Sequence, residues 1–257
     1  MTASAHNIYE KPQGLRALVY LLTPRSRRHL MPIQIASLEE TDAVRQRTSK
    51  KDSETRIAEI RQFASDDLLR WIAQHGAQVS RDPRGSLIAT EVMLYAEGGL
   101  FFFPGFIRAL ADHLPDKTSA TKTLLDAIAI PYPSSDPSNP HLIDCSWASR
   151  MYKTLLQGGH FNKKTQSVEL TESWDAFKFS SLFVDIVPQM TVIAMCTEGE
   201  KNGGFVIATL CETLVKKDDQ TAERQKVKSW FGEKEKVAIK EGNGRGQLLL
   251  LEALELL

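Results

Sequence analysis

The sequence predicts an all-α fold of helices stacked into an array, and three observations predict it. Apolar residues recur at helical spacing through most of the chain, as at Leu68, Leu69, Ile72, Ala73 and Val79, then at Leu87, Ile88, Val92, Met93 and Tyr95. Alternation of the kind a strand needs is confined to Gln166–Leu170, after the turn His160–Lys164. A small residue followed by an aliphatic run also recurs five times along the chain.

Taken in order, the periodic stretches predict helices over 56–80, 84–97, 105–113, 119–129, 144–157, 173–198, 203–215, 219–231 and 246–256. Breakers separate them. Pro83, Pro104 with Gly105, and above all Ile130–Pro140, where four prolines fall within ten residues, cannot continue a helix. The last of these is expected to be a surface loop between two helical units. Gln166–Leu170 is expected as a short extended piece that founds no sheet.

The recurring string reads GLRALVYLL from Gly14, GSLIATEVM from Gly85, ASRMYKTLL from Ala148, GGFVIATLC from Gly203 and GQLLLLEAL from Gly246. A Gly or Ala at the start of a middle helix lets neighbouring helices approach closely, and the aliphatic run behind it is shared with adjoining units. The anchors lie 71, 63, 55 and 43 residues apart, longer and less regular than a tidy solenoid. Periodicity alone leaves repeats and chance strings equally open. Gly14–Leu22 reads as a middle helix whose first helix is expected upstream, as in a fragment of a longer chain.

Composition excludes more than it selects. Across 257 residues, 32 Lys and Arg cancel 32 Asp and Glu, so any attraction to an anionic partner has to come from local clustering. Cys145, Cys196 and Cys211 are odd in number and far apart in apolar surroundings, and the histidines are scattered, which points to buried free thiols and to no metal or cofactor. No apolar run is long enough to cross a bilayer, so no membrane partner is expected. Asp66–Asp67 and Glu39–Glu40 read as helix-start carboxylates, and Glu241–Gly246 has no preceding strand to make it a phosphate loop. Neither an enzyme nor a small-molecule substrate is expected.

The anchored strings, with Thr48–Arg56 (TSKKDSETR), Leu155–Asn162 (LLQGGHFN) and Lys226–Gly232 (KVKSWFG), resemble the divergent Pumilio-like nucleolar family of Puf-domain proteins, whose C-terminal portion carries the CPL region. The similarity runs from about residue 8 to the end of the chain. The resemblance implies a curved solenoid of Puf-like, armadillo-like repeats. It divides the chain into an incomplete repeat with a basic linker (1–61) and a CPL-type region (62–257). It also implies RNA binding in the nucleolus during maturation of the large ribosomal subunit, and some translational control. The partners it implies are pre-rRNA, mRNA, ribosomal proteins and pre-60S assembly factors.

Ordinary Puf repeats read one base each from positions one, two and five after the anchor. Those positions here hold Leu15, Arg16 and Val19; Ser86, Leu87 and Thr90; Ser149, Arg150 and Lys153; Gly204, Phe205 and Ala208; and Gln247, Leu248 and Leu251. No repeat carries a full base-reading set, so phosphate and shape contacts are expected instead.

The candidate contacts are Arg16, then Arg25, Arg27, Arg28, Arg45, Arg47, Lys50 and Lys51, and a second patch of Arg150, Lys153, Lys163 and Lys164 beside His160. On the residues alone, the stretch 23–56 also reads as a solvated linker, since five carboxylates accompany its eight cations. Lys153 also reads as snorkelling from a packed helix. Trp71, Trp147, Trp174 and Trp230 are expected in the core. The competing function is a protein-interaction scaffold.

Overall fold

The computed structural model describes residues 2–97, 117–198, 202–216 and 221–257. The helix expected over 105–113 lies outside the described residues. In chain order the helices are α1 (Thr2–Tyr9), α2 (Pro12–Leu22), α3 (Pro32–Thr48), α4 (Ser53–Val79), α5 (Pro83–Tyr95), α6 (Lys117–Asp126) and α7 (Ser146–Gln157). After a hairpin of β1 (Gly159–Asn162) and β2 (Ser167–Leu170) come α8 (Ala176–Ile186), α9 (Gln189–Thr197), α10 (Asn202–Val215), α11 (Thr221–Trp230), α12 (Glu233–Glu241) and α13 (Arg245–Leu256). A 3-10 turn, Leu142–Asp144, precedes α7.

The five anchored strings open α2, α5, α7, α10 and α13, and these helices pack one against the next in that order. The recurring string therefore marks one layer of an all-α repeat array. A second row, α4, α6, α8 and α11, covers one side of it, while α9 and α12 pack beside α10 and α13. Trp71, Tyr152, Phe179 and Phe183 are wholly buried between the rows. Burying each such side chain stabilises the stack by roughly 1.5–3 kcal/mol.

The anchors are small for a measurable reason. A Cβ on Gly14 would sit 1.8 Å from the Ile8 carbonyl oxygen, one on Gly85 2.0 Å from that of Val79, and one on Gly203 2.3 Å from that of Met195. In each case the end of the preceding helix crosses directly over the start of the middle helix. That geometry accounts for α1: the partner helix of the Gly14 unit occupies residues 2–9 and packs on α2 and α4.

Capping sets several helix starts earlier or later than periodicity alone suggests. Asp52 accepts from the Thr55 amide at 2.8 Å, Asp82 from the Gly85 amide at 2.7 Å, and Asp175 from the Phe177 and Lys178 amides at 3.0 Å. The helix expected over 173–198 is two helices bent by 98°, because Pro188 has no amide hydrogen to continue the ladder. The expected linker is also largely helical, since α3 fills 32–48 and buries only Ile35. Helix α12, between the expected helices 219–231 and 246–256, is amphipathic on one residue, Ile239, too weak a pattern for periodicity to reveal.

Of the expected piece, Ser167–Leu170 is extended while Gln166, with φ of 53°, belongs to the turn, and the strand does find a partner, β1, in an antiparallel pair with His160 opposite Glu169 and Phe161 opposite Val168. Gly158, with φ of 81°, ends α7 in the left-handed conformation that launches this hairpin. The proline-rich loop is pinned to the body: His141 is buried and accepts from the Ile143 amide at 3.3 Å, Tyr132 packs edge-on against it at 5.2 Å, and Arg81 donates to the Pro140 carbonyl at 3.0 Å. Among the described residues no single helix is long and apolar enough to cross a membrane.

Candidate nucleic-acid interface

The middle helices α5 and α7 lie side by side, and the connection between α2 and α3 folds over them. Together they wall a cavity of about 230 Å³. Leu87 and Thr90 face it from α5, Arg150, Met151 and half-buried Trp147 from α7, and Arg28 from the connection. The Trp147 indole is held in place by donating to the Arg81 carbonyl at 3.0 Å.

The floor of the cavity is a carboxylate. Glu91 is only 2% exposed, and its Oε1 accepts a 2.8 Å hydrogen bond from Nε2 of His160 on β1, while Nε2 of His29 stands at ion-pair distance, 3.1 Å, from the same oxygen. Burial pushes the Glu91 carboxyl up, but the two imidazoles more than reverse this and hold it at about 2. Glu91 is therefore an anion at any working pH. Above it, Arg28 and Arg150 are exposed, and neither guanidinium forms an ion pair with a described carboxylate.

The other sequence candidates divide into four groups. Arg25 is ion-paired with Asp42, which also lies 3.9 Å from Arg45, and Lys51 is held by both oxygens of Glu59 on α4 at 2.7 Å, so nearby acids occupy these cations. Arg27, Arg47, Lys50, Lys163 and Lys164 are exposed, the last two at the tip of the hairpin. Arg16 faces a separate, wider hollow of about 490 Å³ between α2 and α3, beside Tyr20 and Ile33. Lys153 is half-buried with its ammonium 5.1 Å over the Phe205 ring, and burial lowers its pKa. Of the twelve candidates, the structure brings Arg28 and Arg150 to one cavity.

The hydroxyls at the expected base-reading positions are turned into the helices. Ser86 donates to the Pro83 carbonyl at 3.1 Å, Thr90 to that of Ser86 at 2.7 Å and Ser149 to that of Ser146 at 3.2 Å. Gln247 donates to the Cys196 carbonyl at 3.0 Å and accepts from the Gly244 amide at 2.8 Å. Three tryptophans, Trp71, Trp174 and Trp230, are in the core as expected, whereas Trp147 faces the cavity.

Sequence reasoning missed Glu91. The one signal was a lone charge inside the otherwise uncharged string GSLIATEVM, on a helix face that had to be buried. His29 and His160 each stand beside a basic cluster, but their meeting on one carboxylate depends on segments 62 and 69 residues away from Glu91.

Residues 10–166 match the family model described as the CPL (NUC119) domain, more than half of the chain. The chain belongs to the CPL (NUC119) domain family. A curated relative of this CPL protein is Pumilio homolog 3 of Danio rerio, 31% identical over 112 residues, which is 44% of this chain and 18% of that one. The crystal structure of human Puf-A superposes with a TM-score of 0.65 and 18% identity over 98% of this chain and 42% of that chain. The crystal structure of human Puf-A in complex with DNA gives 0.64 and 19% over 98% and 41%. The chain thus spans less than half the length of these relatives, and the likeness of structure shows a Pumilio-like helical repeat fold. The match to the CPL model runs across residue 61.

Proposed function

We propose that this chain is a non-enzymatic RNA-binding helical repeat that grips phosphate through Arg28 and Arg150 at the cavity between α5 and α7. The observation that carries this reading is the placing of two uncompensated guanidiniums over the middle-helix layer, beside an indole that offers an aromatic face. Inward-turned hydroxyls at Ser86, Thr90 and Ser149 favour phosphate and shape contacts over base-by-base reading. A fold relative solved with DNA supports the nucleic-acid class. The resemblance to the nucleolar Pumilio-like family extends the proposal to pre-rRNA in large-subunit assembly within the nucleolus, alongside pre-60S factors, and to control of mRNA translation.

The test is the salt dependence of binding to a structured RNA. Each phosphate contact contributes about 0.7–0.9 to the slope of log K against log salt, so the Arg28→Ala, Arg150→Ala double variant is expected to lower that slope by about 1.5 and weaken binding at low salt. An unchanged slope and affinity would remove the cavity from the interface.

A second reading, docking on ribosomal proteins or assembly factors, is favoured by exposed Ile33, which lines the hollow between α2 and α3 with Arg16 and Tyr20. Arg16→Glu together with Ile33→Asp is expected to leave RNA affinity unchanged while reducing particle association if that surface docks protein.

A further inference from the structure

Glu91 brings together imidazoles from two segments far apart in the chain: His29 from the connection between α2 and α3, and His160 from β1. The same segments carry Arg28 and, at the hairpin tip, Lys163 and Lys164. Among the described residues the remaining titratable and charged neighbours are few. Tyr95, one turn along α5, stacks on His160 at 6.4 Å and has its hydroxyl pKa raised by burial and by Glu91; Glu169 lies across the strand pair from His160; Arg150 and Lys153 stand on α7.

Histidine is the side chain whose ordinary charge change falls between about pH 5 and 8, and Glu91 stays ionised throughout that range. The cluster therefore carries one negative charge when both imidazoles are neutral and one positive charge when both are protonated. It does so beneath two arginines in a partly enclosed cavity, where charge is screened less than in bulk water.

We propose that the His29–Glu91–His160 cluster makes the cavity's affinity for phosphate groups pH-dependent, opposing an anion when the imidazoles are neutral and attracting it when they are charged. This rests on the phosphate-binding reading of the same cavity. The arginines supply a fixed attraction, and the floor beneath them adds to it or subtracts from it.

The experiment uses the full chain and two probes whose own charge is constant between about pH 5.5 and 7.5: a short oligouridine and inorganic sulfate. At fixed ionic strength, oligouridine binding is expected to tighten by about tenfold as pH falls across that interval, and sulfate to perturb the Arg28 and Arg150 amide signals in NMR spectra more strongly at the lower pH. The His29→Gln, His160→Gln double variant is expected to lose this pH response, and Glu91→Gln, which removes the fixed negative charge beneath the arginines, is expected to bind both probes more tightly at the upper end of the interval. Binding of both probes that does not vary with pH, or a response retained in the histidine double variant, overturns the inference and leaves the RNA reading standing. Failure of oligouridine to bind at any pH, with sulfate still binding more tightly at low pH, overturns the RNA reading and supports the cluster.

Discussion

The Tyr152 hydroxyl, wholly buried on α7, donates a 2.6 Å hydrogen bond to the Leu124 carbonyl near the end of α6. It thereby satisfies a helix-terminal acceptor that no water can reach, and ties the middle-helix layer to the row outside it. Tyr152→Phe keeps the ring and strands the carbonyl. Equilibrium urea unfolding is expected to show a loss of about 1–3 kcal/mol, and a loss of only a few tenths would mean that the acceptor finds another donor.

Gly85 marks the crossing of α4 over α5, and a methyl group there would overlap the Val79 carbonyl oxygen. Because that atom belongs to backbone at a helix end, it cannot yield as a flexible side chain can. Gly85→Ala is expected to destabilise by about 1–3 kcal/mol or more, although alanine is the better helix former in isolation. Thermal unfolding gives the measure, with Ala77→Ser at an exposed position of α4 as the control.

Glu91 makes folding sensitive to acid. Its carboxyl is held at about 2 in the folded chain against an ordinary 4.5, so the unfolded chain takes up its proton first as pH falls. The stabilisation is fully present above about 4.5 and is lost progressively down to about 2, amounting to roughly 3 kcal/mol in all. Glu91→Gln is expected to flatten stability against pH in that window. His141 acts in a different range: burial lowers its pKa from 6.5, so the folded chain favours the neutral ring, and stability is lost as pH falls below that value.

The cysteines differ in access rather than in chemistry. Burial pushes the Cys211 thiol up to about 12 and raises that of Cys196 as well, whereas Cys145 is part-exposed. A thiol reagent added to native protein is expected to modify Cys145 slowly and to leave the other two unmodified until denaturant is added. Rapid modification of all three without denaturant would contradict the burial of α9 and α10 against one another.

The layer of middle helices was legible in the sequence because its cause is local: each anchor must be small where a preceding helix crosses, and the aliphatic run must face inward on both sides. Pro188 was equally visible, yet an apolar pattern running from Phe177 to Met195 masked the bend it imposes. Helix α3 was hidden for the opposite reason, since it buries one residue and offers no stripe to detect. Among the candidate cations, what sequence could not weigh was pairing across distance. Asp42 lies 17 positions from Arg25 and Glu59 lies 8 from Lys51, while Arg28 and Arg150 meet from opposite halves of the chain.

At the far end of the layer, a Cβ on Gly204 would lie 2.7 Å from the carbonyl carbon of Gly246, so α10 and α13 approach main chain to main chain. Nothing exchangeable separates them there. A side chain larger than hydrogen at Gly204 would therefore push the last two middle helices apart and change the pitch of the final step.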